Sequence, residues 1–455
     1  MRFLSKCAGS ASAIVLMTMA IGGTARAASD ADFADIKKQI EALVRQRAED
    51  DRHIRELEDR LLKAETAAKE AQATAAQASA AASAPPAPPP PSAPASANAF
   101  NPAISVVMDG KFGNFSKDPD TYSVAGFPLA SEGPGQRGLF LGEAEINAQS
   151  NIDDLFMGSV TFSLAQDGPN TDVGLEEAFI QTLTLPYGLQ ATAGKMLSDV
   201  GYINSFHSHA DDFADRPLAY RTFLADEVND VGVRLTWLAP TNTYLRLGGE
   251  IFRGESFPAG GAADSGAGSK TVYLRVGNDI GTEISYQAGA SWLWGDARAR
   301  ETGNIPDVFD GSTDVGIAHL VVKWAPGGNA VSRNLKFQTE IFREHLNGSF
   351  NGLAVSRTDY GAYAQLIYQF MPQWRVGYRF DWLSAGNIPT TLAGSTLDDG
   401  GHNPIRQSVM VEYNHSEFSR LRLQYNYDRA RLTGTDNEFL LQYTVTLGAH
   451  PAHSY

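Results

Sequence analysis

Apolar and polar side chains alternate with a period of two along much of the chain after Asn101. Residues 156–164, 420–431 and 438–449 show this pattern. Within 139–149 the two faces are apolar or small at Phe140, Gly142, Ala144, Ile146 and Ala148, and polar at Glu143, Glu145, Asn147 and Gln149. A period of two places successive side chains on opposite faces of a strand. The pattern therefore predicts many strands that each have one apolar and one polar face.

Roughly sixteen such segments follow one another, an even number as membrane barrels of bacterial outer membranes require. The predicted strands start near residues 102, 139, 155, 173, 189, 229, 243, 270, 283, 313, 334, 357, 374, 405, 419 and 436. The connections between them alternate between short and long. Long, Gly- and Asp-rich connections are expected at 116–138, 198–228, 254–269, 296–312, 346–356 and 385–404.

The short connections carry proline, and aromatic residues gather beside them. They comprise 185–188, 238–242, 324–329 and 370–374, with Tyr187, Trp237, Trp324, Phe370 and Trp374. Aromatic girdles mark the two interfaces of a membrane barrel. No apolar run after Asn101 approaches the roughly 18 residues that a spanning helix needs. We therefore predict a transmembrane antiparallel β-barrel. A soluble, secreted all-β protein explains the alternation but not the sorting of loop lengths.

The first 27 residues have the features of a secretory signal peptide. Arg2 and Lys6 precede a short apolar stretch, and Ala25-Arg26-Ala27 forms a small-x-small cleavage pattern. An uncleaved membrane anchor is the alternative. Cys7, the one cysteine of the chain, lies within this segment, so the mature protein is expected to contain neither disulfides nor thiolate metal sites.

Residues 28–72 carry a seven-residue apolar repeat, which predicts an α-helical coiled-coil stalk. A single amphipathic helix is the alternative. Residues 73–100 are rich in alanine and proline and predict a semi-rigid linker. The barrel is assigned to residues 101–455. The seam positions of the repeat are Phe33, Ile36, Ile40, Leu43, Ile54, Leu57, Leu61, Ala64, Ala68 and Ala71.

Three sequence strings resemble a Gram-negative outer-membrane porin-like family with an N-terminal coiled coil. They are LGEAEINAQSNIDDLF (141–156), EEAFIQTLTLPYGLQATAGKMLSDVGYINSFHSH (176–209) and TLGAHPAHSY (446–455). The family is similar to the general and phosphate-selective porins, and its members are often labelled zinc-regulated or TonB-dependent receptors. The resemblance implies a barrel in the outer membrane, a stalk in the periplasm, and a homotrimer held by barrel contacts and the coiled coil.

Length and charge bear on these labels. A TonB-dependent receptor has about 22 strands and a plug domain, and residues 101–455 leave no room for both. A phosphate channel needs excess cationic side chains in its pore, whereas this chain has a formal net charge of −15. The charge balance favours cations over anions.

The segment FHSHADDFADRPLAY (206–220) concentrates the candidate chemistry of the chain. In general porins the third outer loop folds into the barrel, and the resemblance places residues 198–228 in that loop. Charged side chains there would face Arg or Lys on the wall and set the field that a solute crosses. The candidate constriction residues are His207, His209, Asp211, Asp212, Asp215, Arg216 and Arg221.

Imidazole and carboxylate groups in this segment also suit a weak zinc site, formed by His207, His209 and Asp212, with Asp215 as the alternative carboxylate. Ordinary loop charge is the alternative, because His-x-His is common in polar loops. No resident cofactor is expected, and Zn²⁺ enters only as a transported or weakly bound ion.

The sequence thus predicts an outer-membrane channel for passive diffusion of small hydrophilic solutes that favours cations. Its partners are outer-membrane lipid and further copies of the chain, not nucleic acid. Selective uptake of a metal such as zinc is the alternative. A structural protein that tethers the envelope and an outer-membrane hydrolase are further hypotheses, although no nucleophile motif accompanies the histidines, so no enzyme is predicted.

Overall fold

A computed structural model describes residues 37–38, 102–130, 133–167, 170–261, 266–303 and 307–448. The predicted signal peptide, the linker and the tail after Gly448 lie outside the described residues. Of the predicted coiled coil only Lys37 and Lys38 are described, and both are helical. The stalk itself therefore stays a prediction.

The described residues form sixteen antiparallel strands that close into a barrel. Each strand pairs with its sequence neighbours. The first strand also pairs with the last, beginning with Ser105 opposite Gly448 and ending with Phe115 opposite Glu438. The strands are β1 (Ala103–Phe115), β2 (Gly138–Asn151), β3 (Phe156–Asp167), β4 (Asn170–Thr182), β5 (Leu189–Leu197), β6 (Asn229–Leu238), β7 (Tyr244–Phe252), β8 (Ser269–Ile280), β9 (Ile284–Thr302), β10 (Asp307–Trp324), β11 (Asn334–Phe350), β12 (Leu353–Met371), β13 (Trp374–Ser384), β14 (Ile405–Ser416), β15 (Ser419–Arg429) and β16 (Asp436–Gly448).

The predicted all-β barrel is confirmed, and most predicted strand starts lie within a few residues of the observed ones. Two of the predicted long connections are wrong. Residues 296–312 and 346–356 lie mostly in the hairpins β9–β10 and β11–β12, whose strands have 17 to 19 residues. Gly- and Asp-rich composition suggested loops there. The backbone nevertheless continues its ladder, with Phe309 paired to both Arg300 and Phe350.

The long connections 116–137, 198–228, 253–268 and 385–404 all leave the same rim of the barrel, the long-loop rim. The opposite rim carries the proline turns, and we call it the short-turn rim. Tyr187 is 84% exposed there, and Trp237 donates a hydrogen bond from Nε1 to its carbonyl oxygen at 3.0 Å. The predicted aromatic residues at the turns thus lie on one rim.

The two faces of the barrel differ in the way that the alternation predicts. Outward side chains such as Leu235, Val409 and Leu423 are large, apolar and exposed. Inward side chains such as Arg422 and Gln424 are polar and buried. An apolar exterior and a hydrogen-bonded, edgeless sheet satisfy the demands of a lipid environment. Among the described residues, no helix is both long enough and apolar enough to cross a membrane.

Residues 198–228, here called the lumen loop, fold into the barrel. The loop contains 3₁₀ turns at Ile203–Ser205 and Ser208–Ala210 and a short helix, the loop helix, at Leu218–Phe223. Other 3₁₀ turns occur at Pro119–Thr121, Pro186–Gly188, Pro326–Gly328 and Thr390–Leu392.

The loop helix packs against an apolar patch on the inside of the barrel. Leu218 and Phe223 are fully buried, and they belong to one cluster with Val315, Phe342 and Leu383 of the wall. Each such side chain removed from water contributes roughly 1.5–3 kcal/mol. Burial therefore holds the loop in the lumen. A strictly polar interior, as the alternation suggests, is wrong at this patch because the loop helix covers it.

Candidate functional site

The lumen loop touches two separate parts of the barrel wall. On one side it meets the acidic wall, which we define as Glu143 and Glu145 of β2 with Glu176 and Glu177 of β4. On the other it meets the basic wall, defined as Lys336 of β11, Arg375 and Arg379 of β13, Arg406 of β14 and Arg422 of β15. The ring order places β4 and β11 almost opposite each other.

His207 lies among three carboxylates of the acidic wall. Its Nδ1 is 2.9 Å from Oε1 of Glu176 and 3.2 Å from Oε2 of Glu145, and its Nε2 is 3.1 Å from Oε2 of Glu177. Burial by itself lowers the pKa of His207, but the hydrogen bonds to Glu176 and Glu177 and the charge of Glu145 outweigh it. Together they raise this pKa to about 12.

A β-bulge explains how two adjacent glutamates both reach His207. Thr161 of β3 pairs with Glu177 and Phe162 pairs with Leu175, so Glu176 is the extra residue in β4. In a regular strand neighbouring side chains point to opposite faces. A bulge breaks that alternation and re-aims a side chain. The bulge thereby turns both carboxylates toward the lumen.

The next residues of the loop extend this contact. Nδ1 of His209 lies 2.7 Å from Oε1 of Glu145, and the hydroxyl of Ser208 donates to Oε2 of Glu143. The rings of His207 and His209 stack with their centroids 5.6 Å apart. Both histidines therefore face carboxylates, and the prediction that they face Arg or Lys of the wall is wrong.

Asp212 faces the basic wall as predicted. Its Oδ2 lies 2.9 Å from Nζ of Lys336, and its Oδ1 lies 2.5 Å from Nη2 of Arg375. Burial by itself raises the pKa of Asp212, but the two cations outweigh burial and hold this pKa well below its usual range.

Asp215 is held in the same way by the next pair of arginines. Its Oδ1 lies 2.8 Å from Nη2 of Arg379, and its Oδ2 lies 2.8 Å from Nη1 of Arg406. Gln424 also donates a hydrogen bond to Oδ1 at 2.6 Å. Burial raises the pKa of Asp215, but Arg406 and Arg379 dominate and hold it far below its usual range.

The first residues of the loop are fixed by a separate charge cluster. Asp199 lies 2.7 Å from Arg246, 3.3 Å from Arg275 and 3.5 Å from Arg234, which project inward from β7, β8 and β6. Burial raises the pKa of Asp199, yet the three guanidinium groups outweigh burial and lower it. The loop is thus anchored by charge at its start as well as at its centre.

Glu340 of β11 anchors the loop between these charge clusters. It is fully buried and accepts hydrogen bonds from Tyr220 at 2.9 Å, from Tyr363 at 2.6 Å and from the backbone of Tyr202 at 2.8 Å. Gly201 has a φ of +65°, which few other residues adopt. A methyl group at Gly201 would overlap the Tyr220 hydroxyl.

The side chains of the remaining candidate residues bind to other residues of the loop rather than to the two walls, although the carbonyl oxygens of Asp211 and Arg216 accept hydrogen bonds from Arg422 and Arg406. Arg216 forms an ion pair with Asp211 at 3.0 Å and donates to the carbonyl oxygens of Phe206 and Asp226. Arg221 lies 3.6 Å from Asp226. Asp211 and the two arginines are buried and stabilise the loop conformation.

The predicted zinc ligands His207, His209 and Asp212 do not form one set. Both oxygens of Asp212 are engaged by Lys336 and Arg375, so Asp212 belongs to the basic wall. The carboxylates that meet the histidines come from the acidic wall. The alternation had marked Glu143 and Glu145 as one polar face, but neither the bulge nor the position of the loop could be derived from that pattern.

Comparison with known proteins supports the fold. No known family profile matches the chain. The outer membrane channel DcaP of Acinetobacter baumannii is similar in structure, with a TM-score of 0.50 and 10% identity over 76% of this chain and 97% of that one. The anion-selective porin of Comamonas acidovorans has a TM-score of 0.49 and 10% identity over 76% of this chain and 99% of that one. At 10% identity, the similarity to DcaP shows only the fold, which is the barrel of outer-membrane porins.

An uncharacterized protein of Aquifex aeolicus (strain VF5) is similar in sequence. It is 30% identical over 391 residues, which cover 79% of this chain and 81% of the relative. Because the alignment covers 79% of the chain, it must include most of residues 101–455. The chain belongs to the same protein family as this Aquifex aeolicus protein.

Proposed function

We propose that this chain is an outer-membrane channel through which small hydrophilic solutes diffuse, with the lumen loop as its constriction. The observation that carries the proposal is the course of this loop between the two walls: His207 contacts β4 and Asp212 contacts β11. An apolar exterior, a polar lumen and a loop fixed across that lumen are the parts that a diffusion channel needs.

Space for a solute is present beside the loop. On the short-turn side a cavity of about 340 Å³ lies between Tyr202 of the loop and the ends of β7 to β10. Tyr244, Gln287 and Lys323 also line it. Hydroxyl, amide and ammonium groups at this position suit hydrophilic solutes better than apolar ones.

Cation preference is part of the proposal. The cations of the basic wall are paired with Asp212, Asp215 and two further carboxylates, Asp381 and Glu412. The acidic wall places three carboxylates around two histidines and a fourth, that of Glu143, beside Ser208. The whole chain carries a net charge of −15. Because the carboxylates of the acidic wall outnumber the imidazoles beside them, this wall carries an excess of negative charge, whose field attracts cations and repels anions.

Planar-bilayer recording in a tenfold KCl gradient tests both the channel function and the cation preference. Wild-type protein is expected to give stepwise currents whose reversal potential has the sign of potassium preference. Glu143→Gln should shift that potential toward zero, whereas Glu301→Gln, at an exposed position of β9, should not. Currents with chloride preference would contradict the selectivity, and the absence of current would contradict the channel.

The same recordings separate the alternatives. An envelope tether or a hydrolase is expected to pass no current, and a zinc-selective uptake protein is expected to pass zinc without potassium. We also propose an outer-membrane location, a periplasmic stalk and a homotrimer. Light scattering of the detergent-solubilised protein, with and without residues 28–72, measures the oligomeric state and the contribution of the stalk.

A further inference from the structure

We propose that a divalent transition-metal ion binds between the lumen loop and the acidic wall. Its ligands are Nδ1 of His207 and one carboxylate oxygen each from Glu145 and Glu176. These donor atoms all lie within 4.8 Å of one another. His207 belongs to the lumen loop, Glu145 to β2 and Glu176 to β4. The ion would therefore join the loop to both strands.

The spacing of the donor atoms matches a shared ion. Nδ1 of His207 is 2.9 Å from Oε1 of Glu176 and 3.2 Å from Oε2 of Glu145. Zinc binds nitrogen and oxygen at about 2.0–2.2 Å in a tetrahedral arrangement, which separates neighbouring ligand atoms by about 3.3 Å. These two separations are close to that value, and all three donors lie within 4.8 Å of one another.

The hydrogen-bond pattern of His207 also favours an ion. Nδ1 faces two carboxylate oxygens, and a single proton on it can point at only one of them. Nε2 lies 3.1 Å from Oε2 of Glu177, which is the carboxylate–histidine arrangement that orients a metal-bound imidazole. Binding of the ion would release the Nδ1 proton of the imidazolium to solvent, while the hydrogen on Nε2 stays bonded to Glu177 and the Nδ1 lone pair binds the ion.

Glu176 supplies an independent indication. It is only 8% exposed, and its Oε2 has no hydrogen-bond partner among the described residues. A buried carboxylate oxygen without a partner is costly. A cation at this carboxylate would satisfy it. The bulge that brings Glu176 beside Glu177 is the kind of irregularity that re-aims side chains at functional sites.

One imidazole and two carboxylates suit Zn²⁺ among the common divalent ions, whereas Mg²⁺ and Ca²⁺ favour all-oxygen sets. This ligand set replaces Asp212 of the sequence-predicted set with two glutamates of the wall. The ion would cross-link the loop to the wall. An effect of zinc on current rests on the proposed channel function, but zinc binding itself does not.

Isothermal titration of the full chain in detergent with ZnCl₂ tests the proposal, with MgCl₂ as the comparison. Wild-type protein is expected to bind one more zinc ion than either His207→Ala or Glu176→Gln. Glu177→Gln should weaken binding about 10- to 100-fold, because it removes the carboxylate that orients the imidazole. His402→Ala is the matched control, since His402 bonds to the carbonyl of Arg429 in another loop.

Equal zinc stoichiometry in wild type, His207→Ala and Glu176→Gln would overturn the site, as would no saturable binding in wild type. Glu176→Gln keeps the size of the side chain, so it decides the question if His207→Ala does not fold. Planar-bilayer currents measured on the same preparations separate the two proposals. If the protein conducts ions but wild type and variants bind equal amounts of zinc, only the metal site is wrong. If wild type binds the extra zinc ion but passes no current, only the channel function is wrong.

Discussion

Nζ of Lys336 on β11 lies 2.9 Å from Oδ2 of Asp212 in the lumen loop, although the two residues are far apart in the sequence. Arg375 of β13 holds the other oxygen of the same carboxylate. This contact connects the loop to the wall almost opposite the strand that His207 touches. It therefore fixes the loop across the lumen rather than along one side of it.

Asp212→Asn should loosen the loop, because it leaves Lys336 and Arg375 without their shared carboxylate. Removing one partner from a buried ion pair costs about 3–5 kcal/mol. We expect larger and noisier single-channel currents and a lower unfolding temperature. Asp172→Asn, at an exposed position of β4, is the control and should change neither. Wild-type currents and stability in Asp212→Asn would contradict the anchoring role.

Acid should release the loop from the basic wall. The pKa values of Asp212 and Asp215 are depressed by their cationic partners. A depressed pKa contributes stability above the unfolded value of about 3.9, and that stability is lost as pH falls through the folded value. His207 stays protonated over this range, so its own charge does not change.

We therefore expect limited proteolysis of the lumen loop to be slow at pH 7 and to increase only below about pH 4. An acid-stable protease such as pepsin gives the low-pH measurement. Asp215→Asn should move the increase to higher pH. An increase already complete between pH 6 and 7 would mean that other groups control the loop.

Phe223→Ala should destabilise the protein by about 3–5 kcal/mol, because Phe223 is fully buried between the loop helix and the inner wall. Thermal unfolding in detergent measures the loss. Leu421→Ala on the exposed outer face of β15 is the control and should cost less. Equal losses in the two variants would show that the inner cluster does not stabilise the loop.

Gly201→Ala should displace the start of the loop. The backbone φ of +65° disfavours alanine, and its methyl group would overlap the Tyr220 hydroxyl and lie 2.8 Å from Oε2 of Glu340. We expect a lower unfolding temperature, with partial recovery in the double variant with Tyr220→Phe. Gly352→Ala is the control, because its φ is also positive but no atom lies within 4 Å of an added methyl group. Equal losses in both glycine variants would assign the cost to the backbone alone.

The barrel could be predicted from the sequence because period-two alternation is local: β14, β15 and β16 each start at the predicted residue. The candidate site could be predicted only in part. Asp212 and Asp215 were expected to meet cations, and they do. Glu176 could not be placed, since its bulge arises from pairing with β3, which no single segment encodes.

The apolar patch on the inner wall could not be predicted from the sequence for a related reason. Val315 and Phe342 occupy positions that a polar-inside rule assigns to water, and their burial depends on the loop helix, a segment distant in the sequence. Likewise, the pairing of β9 with β10 extends through residues whose composition is typical of a loop. Long-range contacts thus decide what local patterns leave open.

Planar-bilayer recording of the purified full chain tests the central claim most directly. A water-filled barrel narrowed by the lumen loop predicts discrete current steps in KCl, and it predicts larger steps when Asp212→Asn frees the loop. A folded, membrane-inserted protein that passes no ions, in wild type and in Asp212→Asn alike, would contradict the account.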